Sequence, residues 1–132
     1  MNYRISEIEK LNLDVRWLSK EHAKSTYEYA IQFSSNNKYG LNEAMVNEIE
    51  RLEIESYSVA VNWVNSHLKS TGKVHVVFSE EEVFVLPTNQ FLSNWHKIFV
   101  PSRDDAVILH SESKIILFYC HEEEIEFGFR AS

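Results

Sequence analysis

Residues 70–87 read STGKVHVVFSEEEVFVLP, and the spacing of apolar residues changes within this stretch. Before Gly72 the apolar residues recur every three or four positions, which is the spacing of one face of an α-helix. After Gly72, which can adopt the left-handed geometry that ends a helix, they alternate with other residues as in a β-strand. The stretch therefore predicts a helical part of the chain, followed by a β-hairpin that turns at Glu80, Glu81 and Glu82.

The chain after the hairpin predicts one short helix and three further strands. Pro87 ends the second strand of the hairpin, and Thr88 can cap a helix that continues to about Trp95. Polar turns too short for a crossover helix then separate three apolar segments, residues 106–109, 115–120 and 124–129. We expect antiparallel pairing, with the second segment in the middle of the sheet and the third as a half-exposed, charged edge strand.

Four helices are predicted before the hairpin. They are indicated by a capping box at residues 6–9, by Ser19 as the N-cap of a helix that ends near Phe33, by the apolar face Leu41, Met45, Ile49 and Leu52, and by the stripe Tyr57, Ala60, Val61, Val64 and Leu68. Val59 and Trp63 extend the last stripe almost around its helix, which we expect to be central and buried.

A run of helices followed by a run of strands predicts an α+β fold. We expect one domain over residues 1–132. Its N-terminal helices (about 1–72) should pack on a C-terminal, mostly antiparallel sheet of about five strands (about 73–132).

The composition favours a folded protein in a reducing compartment. Of the 132 residues, 44% are hydrophobic and 13% are aromatic, which is enough apolar surface for one core. Cys120 is the one cysteine, so neither an intramolecular disulfide nor a cysteine-rich zinc site can form. The first residues lack the apolar centre of a secretory signal, and no apolar run approaches about 18 residues. We therefore expect a cytoplasmic protein that does not span a membrane.

Negative charge is concentrated in the second half of the chain. Residues 1–73 contain nine Lys or Arg against ten Asp or Glu, whereas residues 74–132 contain four against ten, within a net charge of −7. Phosphate backbones would be repelled by the second half, so we do not expect a nucleic-acid partner. A basic protein would be attracted to it.

Two acidic triplets at predicted hairpin turns are the main candidates for a binding surface. Glutamates at such turns can simply be solvated and discourage edge-to-edge aggregation. If the two turns lie at the same end of the sheet, however, six carboxylates converge and would steer a cationic protein, with Trp95 as an apolar anchor. The predicted partner-binding residues are Glu80, Glu81, Glu82, Trp95, Asp104, Asp105, Glu122, Glu123 and Glu124.

A catalytic or metal site in the last third of the sequence is the alternative. Imidazole and carboxylate groups gather there, and the candidates are His96, Asp104, Asp105, His110 and His121. None has the spacing of a known metal motif, and consecutive strand residues such as Cys120 and His121 would point to opposite sides. Cys120 is interpreted as a small buried hydrophobe. The alternative function is a small metal-dependent or His/Asp hydrolase, whereas the leading hypothesis requires no metal or cofactor.

Three motifs carry a resemblance to known proteins. FVPSRDD at residues 99–105, FYCHE at residues 118–122 and EFG at residues 126–128 resemble small uncharacterised bacterial proteins that end in a similar β-meander. In size, charge and architecture the chain also resembles the acidic immunity proteins of bacterial toxin systems. These resemblances imply a bacterial, non-enzymatic protein that binds a basic partner such as a toxin, and they supply no catalytic residue.

Overall fold

The computed structural model describes residues 3–131, which form four helices and seven strands. In chain order they are α1 (Tyr3–Glu9), β1 (Arg16–Trp17), α2 (Lys20–Ile31), β2 (Val46–Glu53), α3 (Tyr57–His67), β3 (Lys73–Val77), β4 (Val83–Pro87), α4 (Thr88–Ile98), β5 (Ala106–His110), β6 (Ile115–Cys120) and β7 (Glu124–Arg130). The predicted hairpin is β3–β4, and the three predicted strands after it are β5, β6 and β7. Within the described residues, no helix combines the length and the apolar character needed to cross a membrane.

All seven strands belong to one antiparallel sheet, in the order β1-β4-β3-β5-β6-β7-β2. The α+β class is confirmed, but the prediction of about five strands is wrong. Two strands from the first half of the chain, β1 and β2, form the edges of the sheet, and α4 lies in the second half. The expected division near residue 73 therefore does not separate helices from strands.

The sheet is covered on both faces by apolar cores. On one face, strand residues such as Val76 and Leu117 pack with α1, α3 and α4. On the other face, Val107 and Phe118 pack with α2 and the loop that follows it. Because both faces are covered, β6 is buried at every position, as expected for a strand in the middle of the sheet.

The segment predicted as the third helix is the edge strand β2. It pairs with β7, and its register shifts around Glu48, which adopts a positive φ of 54°. This β-bulge inserts an extra residue into the strand. The apolar residues Val46, Ile49 and Leu52 consequently recur every three positions, a spacing that resembles that of a helix.

Gly128 of β7 lies opposite this bulge, and β2 approaches it closely. A Cβ atom at Gly128 would clash with the side chain of Val46 and would lie 3.0 Å from the backbone oxygen of Asn47. Gly128→Ala is therefore expected to lower the free energy of unfolding by about 1–3 kcal/mol, because the edge strand must move to admit the methyl group. Urea unfolding measures this difference, and an unchanged midpoint would show that the close approach is not needed.

The helix termini correct two predictions and confirm one. In the described residues α1 already includes Tyr3, so Ser6 lies inside the helix and does not cap it. Thr88 is the first residue of α4 and makes no capping hydrogen bond, and α4 continues beyond the predicted end. Ser19 caps α2 as predicted, since its side chain accepts a hydrogen bond of 3.3 Å from the amide of His22.

α3 and β7 differ from the prediction in their burial. α3 is not central, because Ala60 and Val64 are buried whereas Val59 is 58% exposed. β7 is not an edge strand, because β2 pairs along its outer side and Glu126 is buried there. Gly72 has the predicted positive φ, at 71°, but it lies several residues after the end of α3.

Candidate functional site

Both acidic turns lie at the same end of the sheet. β5 pairs antiparallel with β3 on one side and with β6 on the other, and the register places Val77 and Phe118 opposite the same β5 residue. β3 and β6 therefore run in the same direction, and the turns after them, residues 78–82 and 121–123, project from the same end of the sheet. The loop before β5, residues 99–105, reaches this end as well. We call this region, with its carboxylates, the acidic end.

Arginines neutralise part of the acidic end. Arg4 of α1 forms an ion pair with Glu82, and Arg51 of β2 forms an ion pair with Glu124. Both glutamates are only partly exposed. They consequently contribute less to the attraction of a distant cation than an unpaired glutamate would.

Other glutamates of the acidic end face solvent. The exposed glutamates of the two turns are Glu80, Glu81 and Glu122. Glu122 Oε1 lies 4.0 Å from His121 Nε2, which is at the limit of an ion pair. Glu123 accepts a hydrogen bond of 3.0 Å from the Tyr57 hydroxyl, so α3 fixes one side of this turn.

A recess of about 590 Å³ opens beside the β3–β4 turn. Its walls are formed by the three glutamates of that turn and by Ser79, Tyr3, Arg4 and Arg103. Tyr3 is 70% exposed, and the Arg4 guanidinium lies 4.2 Å from the centre of the Phe78 ring. Carboxylates beside an exposed aromatic ring can hold a further cationic side chain.

Asp104 lies beneath the acidic end and is 0% exposed. Its carboxylate accepts hydrogen bonds from Arg103 Nε at 2.8 Å, from Arg4 Nη2 at 2.9 Å and from the Val100 amide at 2.7 Å. Burial alone would raise the pKa of Asp104, but these hydrogen bonds outweigh it and hold the pKa below the ordinary value of 3.8. As placed here, Asp104 holds the loop in position and offers no surface to a partner.

Trp95 is also buried, at 0% exposure. Its ring lies 6.2 Å from that of Tyr57 and 6.4 Å from that of Tyr119, centre to centre. It shares the buried face of α4 with Phe91 and Ile98. The prediction of an accessible anchor does not fit this position, because the apolar face of α4 turns the indole inward.

Asp105, Cys120 and His121 meet at the acidic end, on the face of the sheet that α2 covers. A carboxylate oxygen, the thiol sulfur and a ring nitrogen all lie within 4.8 Å of one another. Asp105 Oδ1 accepts hydrogen bonds from the His121 amide at 2.9 Å and from His121 Nδ1 at 2.8 Å. The prediction that Cys120 and His121 point to opposite sides is wrong, because β6 ends at Cys120 and His121 lies in the turn.

The surroundings of this cluster hold its side chains in place. The Tyr39 ring meets the His121 ring edge to face at 4.6 Å, and Cys120 Sγ accepts a hydrogen bond of 3.4 Å from the Glu122 amide. The hydrogen bond to Asp105 raises the pKa of His121 above 6.5, and burial raises the pKa of the Cys120 thiol above 9.0. A pocket of about 240 Å³ lies beside the cluster, with Asp105 in its wall.

The five residues of the alternative hydrolase site are not brought together. Among them, only Asp105 and His121 share a hydrogen bond, and Asp104 is held by arginines. His110 lies at the opposite end of β5, where its ring forms hydrogen bonds of 2.6 and 2.7 Å to a serine and to a backbone carbonyl. His96 lies on α4, across the sheet from His121.

The cluster of Asp105, Cys120 and His121 was missed by the sequence prediction, although a signal for it was present. A strand that ends at residue 120 leaves His121 in a turn, where side chains no longer alternate between faces. The pairing of Arg4 with Glu82 has no such signal, because it depends on how α1 crosses the sheet.

Comparison with known proteins assigns no family. No protein-family model matches the chain, and neither curated proteins nor solved structures provide a match. The function must therefore be inferred from the residues of this chain.

Proposed function

We propose that this chain is a non-enzymatic, acidic protein-binding module that takes a basic partner at its acidic end, as a toxin-immunity or inhibitor protein does. The observation that carries the proposal is the placement of both glutamate turns at one end of the sheet. The proposed setting is a bacterial cytoplasm, where a buried free thiol stays reduced.

The exposed glutamates supply the attraction in this proposal. The centres of the two turns are separated by three interstrand spacings, or roughly 14 Å across the sheet. That separation exceeds the Debye length of about 8–10 Å at moderate salt, so each turn attracts charge mainly in its own neighbourhood. The partner should therefore present an extended basic surface, and not a single cationic side chain.

The recess beside the β3–β4 turn gives this surface a point of specific contact. A lysine or arginine of the partner would enter beside the exposed glutamates Glu80 and Glu81 and the exposed Tyr3 ring, where charge and cation–π attraction act together. Trp95 and Asp104 are left out of the proposed surface because they are buried. The remaining residues are Glu80, Glu81, Glu82, Asp105, Glu122, Glu123 and Glu124.

Charge reversal at one end of the sheet tests the proposal. We expect Glu81→Lys to weaken binding of a fluorescent nona-arginine peptide about 5- to 10-fold at low salt, since one reversal removes an attraction and adds a repulsion. Glu112→Lys makes the same charge change in the β5–β6 turn, at the opposite end, and should weaken binding less than about 2-fold. Fluorescence anisotropy measures the peptide affinity of both variants, and the difference between their affinities should disappear near roughly 0.5 M salt.

Two results would contradict the proposed function. Equal losses in the two variants would mean that net charge alone attracts the peptide, and an affinity indifferent to salt would mean that the glutamates do not act electrostatically. If a toxin is encoded beside this chain, its inhibition by the wild type but not by Glu81→Lys would extend the result to immunity.

A further inference from the structure

We infer that Asp105, Cys120 and His121 form a binding site for a zinc ion. Sulfur, imidazole nitrogen and carboxylate oxygen are the three ligand types that zinc accepts in proteins. Calcium and magnesium take oxygen ligands almost entirely, so a mixed set of this kind selects against them. The site shares Asp105 with the proposed partner surface, but the inference concerns a metal ion and does not rest on the binding of a protein partner.

The distances in the cluster suit a tetrahedral ion after small adjustments. With bonds of about 2.0–2.3 Å, two ligand atoms of a tetrahedral zinc lie roughly 3.3–3.6 Å apart. The His121 Nδ1 to Asp105 Oδ1 distance of 2.8 Å lies just below this range, and the 4.8 Å limit of the whole set lies above it. Shifts on the order of 1 Å would bring the three atoms around one ion.

The cluster has an anchored base and an open side. Cys120 is buried at the end of β6, whereas the side chains of Asp105 and His121 are partly exposed and accessible to an entering ion. The Asp105 carboxylate is already oriented by the His121 amide, and the Tyr39 ring supports the imidazole. Supporting contacts of this kind hold ligands in place around a metal.

The charge around the cluster favours a cation. The Glu122 carboxylate lies 4.0 Å from His121 Nε2, so a further negative charge stands beside the proposed ligands. Three protein ligands leave the fourth tetrahedral position to water. Asp105 also lines a pocket of about 240 Å³, so there is open space beside its carboxylate.

Zinc titration of the reduced, tag-free chain tests the site by competition with a chromophoric chelator. We expect one zinc per chain, and an affinity loss of at least about 10-fold in Asp105→Asn and in His121→Ala, since even supporting residues of metal sites cost 10- to 100-fold. Glu81→Gln removes one charge from the acidic end without touching the cluster, and it should change the affinity less than about 2-fold.

Cobalt substitution identifies the sulfur ligand. The wild-type chain with cobalt should show a near-ultraviolet thiolate-to-metal absorption band and the visible bands of tetrahedral cobalt, and Cys120→Ser should lack the thiolate band. If Cys120→Ser does not fold, the presence or absence of the thiolate band in the wild-type spectrum shows whether sulfur is a ligand. Absence of stoichiometric zinc, equal losses in Asp105→Asn and Glu81→Gln, or a cobalt spectrum without the thiolate band would each overturn the inference. None of these outcomes affects the peptide test of the proposed function.

Discussion

Trp95→Ala is expected to lower the free energy of unfolding by about 3–5 kcal/mol, the usual cost of deleting a large buried aromatic side chain. The indole lies in the core between the sheet and α3, against the rings of Tyr57 and Tyr119. Its removal leaves a cavity that the neighbouring rings and the strands beneath them can fill only in part. Urea or thermal unfolding measures the loss.

A substitution on the surface provides the control for Trp95. Val59→Ala removes an apolar side chain from the exposed side of α3 and should change the free energy of unfolding by less than about 0.5 kcal/mol. If Trp95→Ala instead unfolds at the wild-type midpoint but no longer binds a basic partner, the indole contacts the partner and does not stabilise the core.

Asp104→Asn is expected to cost about 3 kcal/mol. It keeps the shape of the side chain but removes the charge that Arg4 and Arg103 share, and breaking a buried ion pair typically costs about 3–5 kcal/mol. We expect the lower end of this range because both arginines retain some contact with water, which can hydrate them after the change.

The effect of Asp104→Asn should depend on pH. The pKa of Asp104 is lower in the folded chain than its ordinary value of 3.8, so the ionised carboxylate stabilises the fold above that value. This stabilisation is lost as the pH falls from about 4 through the folded-state pKa. The difference in stability between wild type and Asp104→Asn should accordingly be full at pH 7 and shrink below about pH 4.

Glu7→Gln is the matched control for this pair. Glu7 also pairs with Arg103, at 2.9 Å, but its side chain is 45% exposed, so the change should cost no more than about 1 kcal/mol. A stability difference for Asp104→Asn that stays constant from pH 7 to pH 3 would show that the buried charge is not the source of the effect.

The sequence predicted the parts of the fold that depend on local pattern. The β3–β4 hairpin, the last three strands, α2 with its Ser19 cap and α3 follow from spacing and turn residues that lie close together in the chain. β2 could not be predicted in this way, because its bulge gives apolar residues a spacing of three and its partner β7 lies far along the chain. β1 has only two residues, which are too few to show a recognisable spacing of apolar residues.

The candidate site was predictable to a similar extent. The sequence located the two glutamate triplets at hairpin turns but left their position at one end of the sheet as a condition, and the register of β3, β5 and β6 places both turns at that end. The predicted exposure of two site residues, Trp95 and Asp104, was wrong. The sequence does not show whether Trp95 and Asp104 are exposed, because their burial depends on the placement of α1 and α4 against the sheet.

The position of β1 and β2 has a consequence for how the chain folds during synthesis. The two outermost strands precede all five inner strands in the sequence, so a ribosome releases both before either can find its partner. β1 must wait for β4, and β2 must wait until β7 has emerged at the far end of the chain. Closure of such distant pairs is slow, and during that interval the nascent chain carries two unpaired strands that a chaperone could protect.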